Sequence, residues 1–146
     1  MAETVHITAQ LDTGWRFIVG PETDHAVALD GEHLTAFSPM EMLLGSLASC
    51  SGVSVYSILQ KRREQVTRYE VRVSGTRADE HPKVFTDIII EHIITGHHIN
   101  PASVERAIEL AETRYCGVSI MLSKAAKLTN TYQIIEEASP RAADSL

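Results

Sequence analysis

Cysteine is scarce in this chain: its 146 residues include two, Cys50 and Cys116, separated by 65 residues. This rules out a CxxC dithiol motif and leaves too few thiolates for a structural zinc site without help from histidine. In a reducing compartment a permanent structural disulfide is also disfavoured, which leaves buried free thiols or a catalytic pair. Basic residues are few as well. Thirteen Lys and Arg stand against nineteen Asp and Glu, a net charge of −6 that repels nucleic-acid phosphates unless cations gather on one surface. The short run Lys61-Arg62-Arg63 is the one such cluster, and it reads better as the cationic last turn of a helix, complementing the macrodipole. No stretch approaches the roughly 18 apolar residues of a membrane span. The start Met1-Ala2-Glu3-Thr4-Val5-His6 lacks the basic and apolar regions of a signal peptide, so the expectation is a cytoplasmic protein with neither nucleic-acid nor membrane partner. There is no P-loop, glycine-rich dinucleotide fingerprint or Ser-His-Asp order, and no cofactor is implied. Internal repeats and low-complexity segments are absent too.

What is present is ordinary globular material, 44% apolar and 22% charged, enough for one core in a single domain over 1–146. Strand formers run from Val5 to Leu11, Trp15 to Val19 and Ala26 to Leu29. Turn chemistry separates them at Asp12-Thr13-Gly14 and Gly20-Pro21-Glu22-Thr23-Asp24, which predicts an antiparallel meander within residues 4–30. Ser38-Pro39-Met40-Glu41 then supplies a helix start: Ser as N-cap, Pro at the first helical position, Glu placed for a capping box. The helix should continue to about Arg63 or Glu64, close to 40 Å at about 1.5 Å per residue. Within it Gly45–Ser54 holds eight small residues out of ten, poor for helix propensity but open to close approach by another backbone.

From Arg68 the period changes to two: Tyr69, Val71 and Val73 alternate with Glu70, Arg72 and Ser74. A second strand runs from about Val84 to Ile94 around Ile88-Ile89-Ile90. Asn100-Pro101 opens another helix with an apolar stripe of Val104, Ala107, Ile108 and Ala111. After a break at Tyr115-Cys116-Gly117 a short helix is expected from about Ser119 to Lys127. A strand from Thr129 to Ile135 follows, with a polar, disordered tail over about 137–146. This order lacks alternating βαβ units, so the expected class is α+β, with antiparallel sheets packed around the long helix.

Two separated motifs carry a resemblance. Ser38-Pro-x-Glu-x-Leu-Leu-Gly-x-Leu-Ala-x-Cys50 and Tyr115-Cys116-Gly-Val-Ser-x-x-Leu-Ser-Lys-Ala125 resemble the osmotically induced OsmC and organic-hydroperoxide-resistance superfamily over roughly residues 36–135. The resemblance implies an OsmC-like fold in an intertwined homodimer whose long helices are central. It also implies thiol peroxidase chemistry: Cys50 attacks an organic hydroperoxide or similar small apolar substrate, Cys116 resolves the sulfenic acid as a disulfide, and an external dithiol regenerates the pair.

Such a nucleophile is a thiolate, and Cys50 lies about 16 Å beyond Pro39, out of reach of the helix dipole, so a cation is needed. In the peroxidase branches the resemblance implies an arginine of the N-terminal sheet, held by a glutamate directly after the motif proline. Arg16 is the matching arginine. The residue after Pro39, however, is Met40, and the acid stands at Glu41, nine residues before Cys50 and about 900° around an ideal helix, on its opposite side. Glu41 therefore reads as a capping residue ahead of a catalytic one. Arg114, two residues before Cys116, is a second source of positive charge. Cys116 precedes a helix, where backbone N–H groups can favour a thiolate. The shifted acid motivates an alternative of a different class: a dimeric, non-peroxidase small-molecule binder of the same fold. His92, His97 and His98 with Asp87 and Glu91 invite a metal reading, but Asp87 and Glu91 share one strand face while His92 falls on the other, and His97-His98 reads as a solvated loop.

Overall fold

The computed structural model describes residues 2–21 and 25–138. The expected turn residues 22–24 and the tail from 139 onward lie outside the described residues. The backbone divides into two compact units, Met1–Leu44 and Gly45–Leu146.

The first unit is an antiparallel sheet of β1 (Thr8–Thr13), β2 (Arg16–Gly20) and β3 (Val27–Asp30), in that order. Gly14 makes the β1–β2 turn with φ of 56°, a left-handed conformation that costs glycine little. Past β3 the chain is organised by one carboxylate. Asp30 accepts the backbone N–H groups of Glu32, Leu34 and Thr35 and the Thr35 hydroxyl, at 2.9 to 3.2 Å. Those donors, led by the Glu32 N–H, hold its pKa down at about 2.

The helix α1 (Pro39–Lys61) begins as its sequence dictates. Ser38 N–H donates to Glu41 Oε1 at 2.9 Å and Glu41 N–H to Ser38 Oγ at 3.2 Å, a complete capping box. Its C-terminus is closed by Arg63 at φ 59° and by Glu64 N–H donating to the Leu59 carbonyl. Contrary to the expectation above, α1 is long and apolar enough, by length and composition, to cross a membrane, with a mean hydropathy of 1.6. Its many Ser and Gly residues dilute the apolar content without adding charge. A soluble core helix has the same profile, and Leu47, Ser51, Val55 and Leu59 are indeed buried within the second unit, four residues apart on one stripe.

The second unit carries a sheet of β4 (Gln65–Arg77), β5 (Phe85–His97) and β6 (Lys127–Glu136), with β5 central. The β4–β5 pair is antiparallel, but β6 runs parallel to β5, from Asp87↔Lys127 to Gly96↔Glu136. The expectation of wholly antiparallel sheets is corrected here, for a topological reason. The helical segment between β5 and β6 carries the chain back to the end where β5 began, and only a crossover of that kind can join neighbouring parallel strands. The crossover consists of α2 (Pro101–Leu110), a π-helical turn (Ala111–Tyr115) and α3 (Gly117–Leu122). Asn100 caps α2 by accepting the Ala102 N–H at 3.0 Å, with Pro101 next in line. The core joins Val55 and Leu59 of α1 to Ile94 of β5, Ile99, and Val104, Ala107 and Ile108 of α2. Gly52 of α1 faces side chains of β4, since a Cβ there would meet Val71 Cγ2 at 3.3 Å and Tyr69 Cε2 at 4.0 Å.

Candidate functional site

Both cysteines belong to the second unit and both are free thiols. Cys50 sits half-buried in the middle of α1, whereas Cys116 is fully buried. What places Cys116 is the π-helical turn. Its N–H donates to the Ala111 carbonyl at 2.8 Å, five residues back, and the residue then leaves helical geometry with ψ of 98° to cap α3. Its Sγ accepts the Ser119 N–H at 3.3 Å. The expected short helix therefore starts two residues early, at Gly117, and ends at Leu122, because Cys116 itself provides the N-cap that the reading from Ser119 lacked.

The two thiols are near enough for Cys50 to act on the ionisation of Cys116. Burial pushes the Cys116 thiol up, and charge on Cys50 pushes it further, against the opposing hydrogen bonds from Ser119. The expectation that the helix start would favour a Cys116 thiolate is thus corrected: desolvation outweighs what the N–H group offers. Cys116 is therefore a thiol that holds its proton more firmly than a free cysteine does.

The remaining residues singled out in the sequence are placed as follows. Arg16 lies in the first unit, with Nε 3.3 Å from Asp12 Oδ2, too far off line for a hydrogen bond. Its Nη1 donates to Thr35 Oγ1 at 3.2 Å, joining the group around Asp30. Glu41 is occupied by the Ser38 N–H, which holds its carboxyl below the usual range, and by an ion pair with His33 Nδ1. Arg114 lies over the ring of Tyr115, 5.8 Å from its centroid. His97 closes β5, and it and His98 face Glu137 and Glu136 at 3.6 and 3.7 Å.

A buried polar chain went unread in the sequence. His92 does turn away from Asp87 and Glu91, as strand alternation requires, and is completely buried. Its Nε2 is 3.0 Å from Asn130 Oδ1 and its Nδ1 is 2.6 Å from the Tyr69 hydroxyl. The Asn130 oxygen only accepts, so Nε2 carries the proton, Nδ1 is bare, and Tyr69 donates to it. Tyr69 also stacks on Tyr56 of α1 at 6.5 Å. The available signal was a histidine in register with Ile88, Ile90 and Ile94 on the buried face of a strand.

Burial lowers the pKa of His92 from its ordinary 6.5. Below pH 6.5 the unfolded chain therefore takes up a proton before the folded one does. The stability from neutral His92 is fully present above pH 6.5 and is lost as the pH falls towards the lowered value. Urea unfolding at pH 7.5 and pH 5.5 should show a drop in midpoint for the native chain and a smaller one for His92→Gln. Equal drops would show that His92 does not carry the acid sensitivity.

Comparison with known proteins follows the same lines. Residues 30–131 match the family model of OsmC-like protein. Protein YhfA of Escherichia coli strain K12 is 38% identical over 123 residues, covering 84% of this chain and 92% of that protein. A hypothetical protein of Aquifex aeolicus VF5 superposes with a TM-score of 0.85 at 27% identity, over 94% of this chain and 100% of the other. An organic hydroperoxide resistance protein OsmC from Legionella pneumophila shares the fold with a TM-score of 0.68 at 16% identity, covering 91% and 98% of the two chains. With one motif cysteine on the long helix, the other at the start of α3, and the family match running from the end of β3 into β6, the chain belongs to the OsmC-like protein family.

Proposed function

We propose that this protein is a thiol-dependent peroxidase that reduces organic hydroperoxides through Cys50 and Cys116. The observation that carries the reading is a pair of free thiols, one half-buried on the long helix and one fully buried at the start of α3, with Cys50 near enough to act on the ionisation of Cys116. The Cys50 thiolate attacks the outer oxygen of the hydroperoxide, the O–O bond breaks, and the alkoxide takes a proton and leaves as an alcohol. Cys50 is then a sulfenic acid. Cys116 attacks its sulfur, the S–S bond forms as the S–O bond breaks, and water departs with the Cys116 proton. An external dithiol is oxidised to its disulfide as it returns both thiols.

The working unit in this proposal is a cytoplasmic homodimer. Supporting it, the first unit leaves Leu11, Trp15, Val27, Leu34 and Phe37 exposed, a large apolar surface for a three-stranded sheet. Arg16 and Glu41 enter the proposal as residues that support Cys50.

One equivalent of cumene hydroperoxide added to reduced protein should consume two thiols per chain and leave cumyl alcohol. Unchanged thiols and unchanged peroxide would refute the peroxidase. Slower consumption by Arg16→Ala or Glu41→Gln, with the same final thiol loss, would support those two residues. The engagement of Glu41 by Ser38 and His33 favours a second reading, a small-molecule binder of the same fold in which both cysteines are wall residues. Slow alkylation of both thiols in the native protein would support it.

A further inference from the structure

The buried chain of Tyr69, His92 and Asn130 is not used by the thiol chemistry proposed above, and stability does not account for it. Three hydrogen-bonded polar side chains gain little over apolar ones of the same shape, and the loss of any one partner would leave the others unsatisfied. Their geometry is specific. The Tyr69 hydroxyl lies 2.6 Å from His92 Nδ1, and His92 Nε2 lies 3.0 Å from Asn130 Oδ1. The rings form a nearly parallel series: Tyr69 stands 6.0 Å from His92 at 18° and 6.5 Å from Tyr56 of α1 at 20°. Tyr56, at the outer end, is 44% exposed and so within reach of a solute.

A phenol in such a place can act as an acid or as an electron donor, and the two roles make different demands. Ionisation of Tyr69 would set a phenolate in apolar surroundings, and burial pushes its pKa up accordingly. Loss of an electron is another matter. An oxidised phenol is a very strong acid, so the electron leaves readily only where a base already stands on the hydroxyl. His92 is that base. Its Nδ1 is bare, burial keeps the ring neutral, and the Asn130 oxygen favours the imidazolium that forms by accepting from Nε2. Asn130 also lines one groove with Glu105, Glu109 and Glu112 of the crossover, whose negative charge favours a positive ring close by.

From this arrangement we infer that Tyr69 is a one-electron redox site, reached through Tyr56, that quenches oxygen-centred radicals such as the alkoxyl radicals left by one-electron cleavage of hydroperoxides. The alkoxyl radical takes the hydrogen atom of the Tyr56 hydroxyl and departs as an alcohol. Tyr69 then gives an electron to the Tyr56 phenoxyl, which recovers a proton from water, while the Tyr69 proton passes to His92 Nδ1. The radical rests on Tyr69, beside a protonated His92. A thiolate in solution returns the electron, becoming a thiyl radical, and His92 returns the proton. Neither cysteine of the chain takes part.

The test uses the reduced full-length protein with a flash-generated ruthenium(III) tris-bipyridine ion as the one-electron oxidant, so that no hydroperoxide enters it. Transient absorption follows the phenoxyl radical, and freeze-quenched electron paramagnetic resonance identifies it by its ring-proton splittings. The native chain should hold a phenoxyl radical about tenfold longer than Tyr69→Phe does, because the inner ring alone is both shielded and provided with a base. Tyr56→Phe should delay its appearance, and His92→Gln should cut its yield by about tenfold. Native protein in heavy water reads the same step without a variant: the radical should form more slowly there, since the phenolic proton moves with the electron. A radical unchanged in Tyr69→Phe would lie on another ring and overturns the inference. So does formation at equal rates in light and heavy water, which would leave His92 no proton to accept. Failure of the native chain to consume cumene hydroperoxide would remove the peroxidase and leave the Tyr69 site standing, because the oxidant that reads it is a metal complex.

Discussion

Cys50→Ser should reduce hydroperoxide consumption to the uncatalysed rate, a loss on the order of a thousandfold or more, because a serine hydroxyl has no accessible anion to replace the thiolate. Cys116→Ser should behave differently. The first equivalent of peroxide is still consumed, Cys50 remains as a sulfenic acid that dimedone can trap, and no disulfide forms. The asymmetry follows from the environments of the two sulfurs. Cys116 is fully buried and raised in pKa by that burial, while Cys50 is only half-buried. Cys116 therefore keeps its proton and can deliver it when the sulfenic hydroxyl departs as water. A rapid-quench measurement of peroxide with mass analysis of each variant reads both steps. A Cys50→Ser protein that kept a tenth of the native rate would remove Cys50 from the nucleophile's role, and dimedone capture at Cys116 would exchange the two assignments.

The largest expected loss of stability lies elsewhere, at Gly96 of β5. A Cβ at this position would lie 2.1 Å from the Gln65 carbonyl oxygen, 3.0 Å from its carbonyl carbon and 2.9 Å from Ile99 Cδ1. The first two are backbone atoms of the strand start that faces Gly96 across the β4–β5 ladder, so relief requires that start to move. Ile99 belongs to the core with Val55 and Leu59, and Gly96 O also accepts the Glu137 N–H at 2.8 Å. Movement at one edge is therefore felt by both neighbouring strands. Gly96→Ala should destabilise the protein by about 3 kcal/mol or more and lower the Tm by roughly 10 °C. Gly117→Ala is the matched control, since a Cβ there meets nothing within 4 Å. Equal melting temperatures for the two variants would show that β4 yields more easily than its geometry implies.

Local signals in the sequence were the readable ones. The capping box of Ser38 and Glu41 and the Asn100-Pro101 start of α2 depend on residues within one turn of each other, and both stand in the structure as their spacing requires. Tyr69, Val71 and Val73 alternate in burial against Arg72 and Ser74 for the same reason. Non-local arrangements were not readable. The direction of β6 depends on where the crossover delivers the chain, and a run such as Thr129 to Ile135 pairs equally well in either sense. The link from Tyr69 through His92 to Asn130 joins residues 23 and 38 positions apart on three strands. Of the site, the two cysteines could be found from their motifs. The state of Cys116 could not, because its burial is a property of the packed unit, and its position before a helix pointed the opposite way.

The π-helical turn between α2 and Cys116 makes residue count, more than residue type, the quantity that matters in this stretch. Thr113, Arg114 and Tyr115 all face solvent, so none of the three is held in the core. Ala111 is anchored in the core on one side and Cys116 is buried on the other. Removing one residue between them would tighten the turn to ordinary α-helical pitch and swing the Cys116 sulfur about 100° around the axis, with the apolar stripe of α2 left in place. The segment works as a spacer cut to length: it accepts rewriting letter by letter, but no deletion of a letter.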